Sequence, residues 1–242
     1  MTSSLLHILA MFFMLLDHTW AMLLPSQEWL TCLGRIAFPI FAFMTVEGYF
    51  HTRDFKKYML RMLVFALISE IPFNLMYSGL IFYPYHQNVI WTFMLSLLLI
   101  HWIETVKKKG NKGLTIGVSL LACVLGFAGG FLAMLDYYGT GVLTVLVFYF
   151  FRERKWYNIV LTILCMWQIH VNMLGGYYYN VEIFGMKFEL MQQTFAMLSL
   201  IPIYLYNGKK GIRSKAFQYF CYSFYPAHML LLYVIYRISL GF

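Results

Sequence analysis

Asp17 and His18 stand side by side in the otherwise apolar run SSLLHILAMFFMLLDHTWAMLL. Ionisable groups are costly in such surroundings, so they mark either a site or a structural pair. A histidine titrates near neutrality and can act as a general base. Helical spacing puts His7, Met11, Met14, His18 and Met22 on one face, with Asp17 about 100° away. Neighbours in sequence do not face each other on a helix, so Asp17 and His18 are not expected to form a dyad. Asp17 instead calls for a cation on another helix, and Arg35 in GRIAFPIFAFMTVEGYF is the candidate.

The same kind of residue recurs along the chain. In YMLRMLVFALISEIPFNLMY, Glu70 and Asn74 share a helix face around Pro72. His86, Gln87 and Asn88 sit in YPYHQNVIW, Asp136 in LDYYG, and His228 in YPAH beside Pro226. Glu47 and Arg61 could pair across helices or touch a ligand directly. His51 and His101 are expected in interfacial or structural roles near the inner boundary, and His170 and Asn172 near the outer surface.

The elements that must hold these groups follow from composition. Of 242 residues, 61% are hydrophobic, 20% aromatic and only 12% charged, about half the charged share of a soluble domain. That much apolar surface excludes soluble, disordered and fibrous classes. The reading is an all-α, polytopic transmembrane helix bundle forming one integral membrane domain over 1–242. A bilayer core of about 30 Å needs about 20 apolar residues per helix. Nine segments are drawn: 5–24, 30–50, 58–77, 89–106, 114–133, 138–151, 157–173, 190–206 and 217–238. The first lacks the features of a cleaved signal and reads as a retained span. Pro39 is expected to kink the second.

Charge orients the set. Fourteen of the 18 basic residues fall in four alternate loops: Arg53, Lys56 and Lys57; Lys107, Lys108, Lys109 and Lys112; Arg152, Arg154 and Lys155; Lys209, Lys210, Arg213 and Lys215. By the positive-inside rule the N-terminus is cytoplasmic and the C-terminus outside. A net charge of +8 distributed this way does not indicate nucleic acid. Asp17, His18, Arg35, Glu70, His86 and Asp136 then share the outer half, above an inner cationic layer with Glu47 and Arg61. This layout suits an enzyme taking a polyanionic donor from the cytoplasm to an acceptor further out; it also suits a proton-coupled carrier. Cys32, Cys123, Cys165 and Cys221 have no metal-like spacing, and no metal is expected.

The block from Gly34 to Tyr77, with LLDH ending at His18, HQNV from His86, DYYGTGVL from Asp136 and YPAHML around His228, closely resembles the TraX family of membrane proteins. The matches run in order along nearly the whole chain. The resemblance implies a multi-pass acyltransferase of the bacterial cytoplasmic membrane that draws on acetyl-CoA. The family's founding members acetylate the N-terminal amine of a conjugative pilin subunit. In distantly related membrane acyltransferases that act on glycans, a first-helix histidine is thought to be the base and arginines near the cytoplasm to hold coenzyme A. By motif position His18 takes the base role and Arg61 the donor side, while His7 stands where relatives often carry an arginine.

On this reading, the catalytic set is His18, Asp17, Arg35 and Glu70. Arg61, Lys56, Lys57 and Glu47 meet the donor, and the coenzyme A phosphates suit the three cations. His86, Asn88, Asp136 and His228 contact a peptide, pilin or glycan acceptor, with Arg35 or Asn88 near the oxyanion. The competing readings are a small proton-coupled transporter built on Asp17, Glu70 and His228, and a scaffold for an envelope assembly.

Overall fold

The computed structural model describes residues 1–183, 186–212 and 214–241, the side chains of 180–183 excepted. Arg213 of the fourth basic loop lies outside the described residues. The chain is mostly helical: α1 (Ser3–Met22), α2 (Glu28–Gly34), α3 (Ala37–His51), α4 (Phe55–Ser78), α5 (Val89–Lys107), α6 (Lys112–Leu132), α7 (Tyr138–Phe150), α8 (Trp156–Trp167), α9 (Leu200–Tyr204) and α10 (Lys215–Ser239).

Local signals explain the helix ends. Thr2, Asp54, Asn88, Asn111 and Ser214 each cap the helix that follows, their side-chain oxygens accepting a backbone N–H of its first turn. Asp54 accepts the Lys57 N–H at 3.0 Å, and that bond holds its carboxyl below the usual carboxylate range. Gly79, at φ 74°, closes α4 in the left-handed region.

Six helices are long and apolar enough to cross a membrane: α1, the α2–α3 stretch, α4, α5, α6 and α8 with its continuation to Leu174. Three of the nine expected spans fall outside these six. At 13 residues, α7 is short, reaching about 20 Å. It lies in the middle of the bundle, where Val142, Val145 and Leu146 are buried, so other helices rather than lipid surround it. Residues 190–206 are not one α-helix but a 3₁₀ segment (Gln192–Ser199) followed by α9. The wider 3₁₀ rise lets those thirteen residues cover about 24 Å. The third is α10, 25 residues with Pro226 inside, which is not among the six.

Two further expectations change. The fold is not purely α: Tyr178–Ile183 and Met186–Met191 form an antiparallel hairpin, β1–β2, from a tract rich in aromatic and β-branched residues that favour strands. Pro39 does not kink a long helix. The break comes at Arg35–Ile36, and Pro39 falls in the first turn of α3, where a missing N–H leaves no bond unmade.

The core runs along α3, α5 and α7, with Ile40, Val46, Leu97, Ile100, Val142 and Val145 almost fully buried. By contrast α6 turns Val124, Phe131 and Leu132 outward, 63–79% exposed, the surface that lipid covers. Where α6 meets α7, a Cβ on Gly139 would fall on the Phe127 carbonyl oxygen and 2.6 Å from its Cα. Backbone cannot yield as a flexible side chain can. Gly139→Ala is therefore expected to cost about 1–3 kcal/mol or more, read as a lower melting temperature of the purified protein in detergent. Gly79→Ala, with open space around it, meets only the cost of its positive φ.

All four basic loops gather at one end of the bundle. There Ser3 and Ser4 N–H groups donate to the Lys209 and Lys210 carbonyls at 2.8 and 3.0 Å. Arg152 Nε meets Glu47 at 2.6 Å, and Tyr149 donates to Glu104 at 2.7 Å. The hairpin, the loop at 79–88 and the α1–α2 turn form the opposite end. The charge-derived partition of the loops is thus present in three dimensions.

Candidate functional site

The polar residues away from the basic end fall into two neighbouring groups. The first joins α1, α2 and the 3₁₀ segment. Arg35, at the C-cap of α2, forms an ion pair through Nη2 with Asp17 Oδ2. Thr31 donates to Asp17 Oδ1 at 2.7 Å, and the Gln192 amide donates to the Thr31 hydroxyl. The two charged side chains are each only 16% exposed. Gly34 makes the approach possible, since a Cβ there would fall within the Asp17 side chain. The expected Asp17–Arg35 pair is therefore present. Among the described residues Arg35 Nε has no hydrogen-bond partner and is buried.

One residue along α1, His18 points to α10. Its Nδ1 is 2.7 Å from His228 Nε2, and His228 Nδ1 is 2.6 Å from the Phe224 carbonyl oxygen. His228 is 5% exposed. Asp17 and Arg35 lie close enough to act electrostatically on His18. Asp17 and His18 make no dyad, as helical geometry requires.

The second group surrounds the start of α5. Asn88 is buried and does three things: its Oδ1 caps Ile90 at 3.1 Å, and its Nδ2 donates to the Ala66 carbonyl at 2.9 Å and to Glu70 Oε2. Trp91 Nε1 also donates to Glu70 Oε2 at 3.0 Å, while Oε1 is buried without a partner among the described residues. His86 lies 3.4 Å from Asp136 and stacks on Tyr77 at 4.5 Å. Tyr225, three residues before His228, places its hydroxyl at the Val89 backbone, beside this second group. One face of α10 thus touches both groups.

The donor-side residues separate. Arg61 is exposed, its guanidinium 6.0 Å from the Tyr58 ring. Lys56 is exposed and Lys57 lies 3.5 Å from Asp54. Glu47 does not pair with Arg61, correcting that option: Arg152 takes it, with its guanidinium 4.2 Å over the Phe50 ring. Arg61 faces outward on α4, whereas the 152–155 loop tucks under the end of α3. Glu47, Arg152, Arg154, Tyr206 and Asn207 line a cavity of about 370 Å³ at the basic end.

Thr31, Gln192 and Tyr225 were not marked by the sequence as site residues. Gln192 offered a weak signal, an amide inside an apolar stretch; Thr31 and Tyr225 offered none. His170, in the π-helical turn after α8, is 1% exposed and pairs with Thr144 at 3.2 Å. Its side chain lies inside the bundle, on the turn that ends the stretch begun by α8.

A family model described as "TraX protein" matches residues 2–236. The chain is 28% identical over 243 residues to "Probable fimbrial assembly protein FimC, serogroup H1" of Dichelobacter nodosus, covering 94% of this chain and 92% of that protein. No solved structure matches.

Proposed function

The chain belongs to the TraX family, and on that premise we propose that it is a membrane-embedded acyltransferase. It moves an acetyl group from acetyl-CoA to an amine or hydroxyl of a peptide or envelope acceptor, a pilin or fimbrial subunit being the first candidate. The bundle crosses the bacterial cytoplasmic membrane nine times, N-terminus inside, with α7, the 3₁₀–α9 stretch and α10 completing the six long apolar helices. The basic end then faces the cytoplasm and the donor, and the two polar groups face the acceptor.

One observation carries the reading: a paired imidazole beside a buried cation, at the end of the bundle away from the basic loops. In the transfer, the acceptor nitrogen or oxygen attacks the thioester carbonyl. A new bond to that carbon forms, the C–S bond breaks, and the acceptor's proton passes to His18 Nε2. The departing coenzyme A thiolate takes a proton and leaves as the thiol. Arg35, with an uncommitted N–H, stabilises the oxyanion, and Asp17 holds Arg35. Arg61, Lys56 and Lys57 attract the donor phosphates, while Glu47 and the two arginines of the basic-end cavity shape its entry. Glu70, His86, Asn88, Asp136 and Tyr225 line the acceptor side.

The test uses purified protein in nanodiscs, acetyl-labelled acetyl-CoA and a synthetic peptide with a free N-terminal amine. Label on the peptide with stoichiometric release of thiol is the expected result. The absence of both acetyl-CoA binding and transfer to any amine or hydroxyl acceptor is the second outcome, and it would overturn the reading. The relative's name favours one alternative, an assembly factor without chemistry, which that second outcome supports.

A further inference from the structure

The His18–His228 contact holds more information than its distance. A carbonyl oxygen only accepts, so the 2.6 Å contact with Phe224 places a hydrogen on His228 Nδ1. A neutral imidazole carries one ring hydrogen, which leaves His228 Nε2 as a lone pair. His18 Nδ1, 2.7 Å away, must therefore be the donor. That assignment leaves the lone pair of His18 on Nε2. The ring geometry agrees: the planes are 7° apart and the centroids 4.9 Å apart. With nitrogens at 2.7 Å, that separation is nearly the contact plus two ring radii. The rings therefore meet edge to edge in one plane, as an N–H···N hydrogen bond requires, and not face to face.

We propose that His228 is a positioning residue that fixes the tautomer and orientation of His18, through the chain Phe224 carbonyl, His228, His18. Its consequence for rate rests on the acyl-transfer reading above; its geometry does not. The backbone bond alone would be ordinary. His7 and His51 each make the same bond to the carbonyl four residues back, at 2.8 and 2.7 Å, and among the described residues neither meets a second histidine. The link to His18 is what sets His228 apart. Its surroundings hold it still: the Phe224 ring lies 4.8 Å away, nearly parallel, and Met229 is fully buried beside it.

His228 takes the place that a carboxylate holds in familiar nucleophile–base–orienter arrangements. Asp17 is not available for it, being held by Arg35 and Thr31. A neutral acceptor fixes the tautomer without adding a negative charge to an apolar interior, where an unpaired anion is costly. Among the described residues the hydrogen bond of His18 runs through Nδ1 and none engages Nε2, and the residue is partly exposed. The pair thus presents one free lone pair from an oriented ring, which is the form a general base needs.

The experiment is histidine ¹⁵N NMR of the full-length protein in nanodiscs at neutral pH, assigned with His18→Gln and His228→Gln, alongside acetyl-transfer kinetics. Both residues are expected as Nδ1–H tautomers. In His228→Ala the His18 signal should lose that signature, and transfer should fall about 10–100-fold with KM for acetyl-CoA unchanged. His228→Gln, whose amide can donate to Phe224 and accept from His18, should restore much of both. It also keeps the test open if the alanine variant fails to fold. An Nε2–H tautomer at His18 in the wild type, or a His18 signal unmoved by His228→Ala, would overturn the proposal. If no acceptor is acetylated but the two Nδ1–H signals and their dependence on His228 are found, the histidine chain stands and the acyltransferase reading falls.

Discussion

Replacing His18 with alanine is expected to lower acetyl transfer by about 10²–10⁴-fold, the range that a positioned general base contributes. No neighbour can take over. The His228 Nε2 lone pair, though freed by the change, sits 2.7 Å behind where His18 Nδ1 stood, on the far side of the vacated ring, and His170 is buried against Thr144. His86, the other histidine at this end, is held between Tyr77 and Asp136. The fold should survive, because His18 is only half-buried and the change removes one neutral hydrogen bond, about 1 kcal/mol. The Asp17–Arg35 pair does not involve it. The measurement is label transferred to peptide per mole of protein, with the detergent melting temperature taken on the same samples. A variant that melts like the wild type and transfers at the wild-type rate would remove His18 from the mechanism.

What could be read from the sequence divides by the range of the interaction. The Asp17–Arg35 pair was legible because an intramembrane carboxylate needs a cation and the next apolar run begins with one. The segregation of basic loops was legible because it is a property of alternate loops, whatever the packing. Packing between distant helices was not. Nothing in YPAH says that α10 lies on α1, so a bond between residues 210 positions apart stayed invisible. Glu47 was placed near the right layer but with the wrong partner, since loop 152–155 can fold under α3 only once α7 has been set in the middle. The hairpin did leave a trace, in the aromatic and β-branched tract around Tyr178. Hydropathy averaging drew only the last two residues of its second strand, Leu190 and Met191, into the supposed span at 190–206. Buried Gln192 and Gln193 then argue for a polar contact on that segment rather than a lipid-facing helix.

Asp17→Ala is expected to be the most damaging substitution at the site, destabilising by about 3–5 kcal/mol, as breaking one side of a buried pair does. It leaves the Arg35 guanidinium without its anion while Nε is already unpartnered. It also strands the Thr31 hydroxyl and, behind it, the Gln192 amide that ties the 3₁₀ segment to α2. The effect should therefore reach beyond one contact. Asp17→Asn keeps an oxygen for Thr31 and should lose less. Asp17→Leu with Arg35→Met removes both charges and should recover much of the stability, because the cost lies in the orphaned cation and not in the missing attraction. Thermal melts of the four proteins give the ordering. Transfer assays then separate structure from chemistry: a doubly substituted protein that melts like the wild type should still lose transfer, since Arg35 is the donor to the oxyanion. If it melts normally and transfers normally, Arg35 acts only as the partner of Asp17. If Asp17→Ala itself melts like the wild type, the pair contributes nothing to stability and the close approach at Gly34 has another cause.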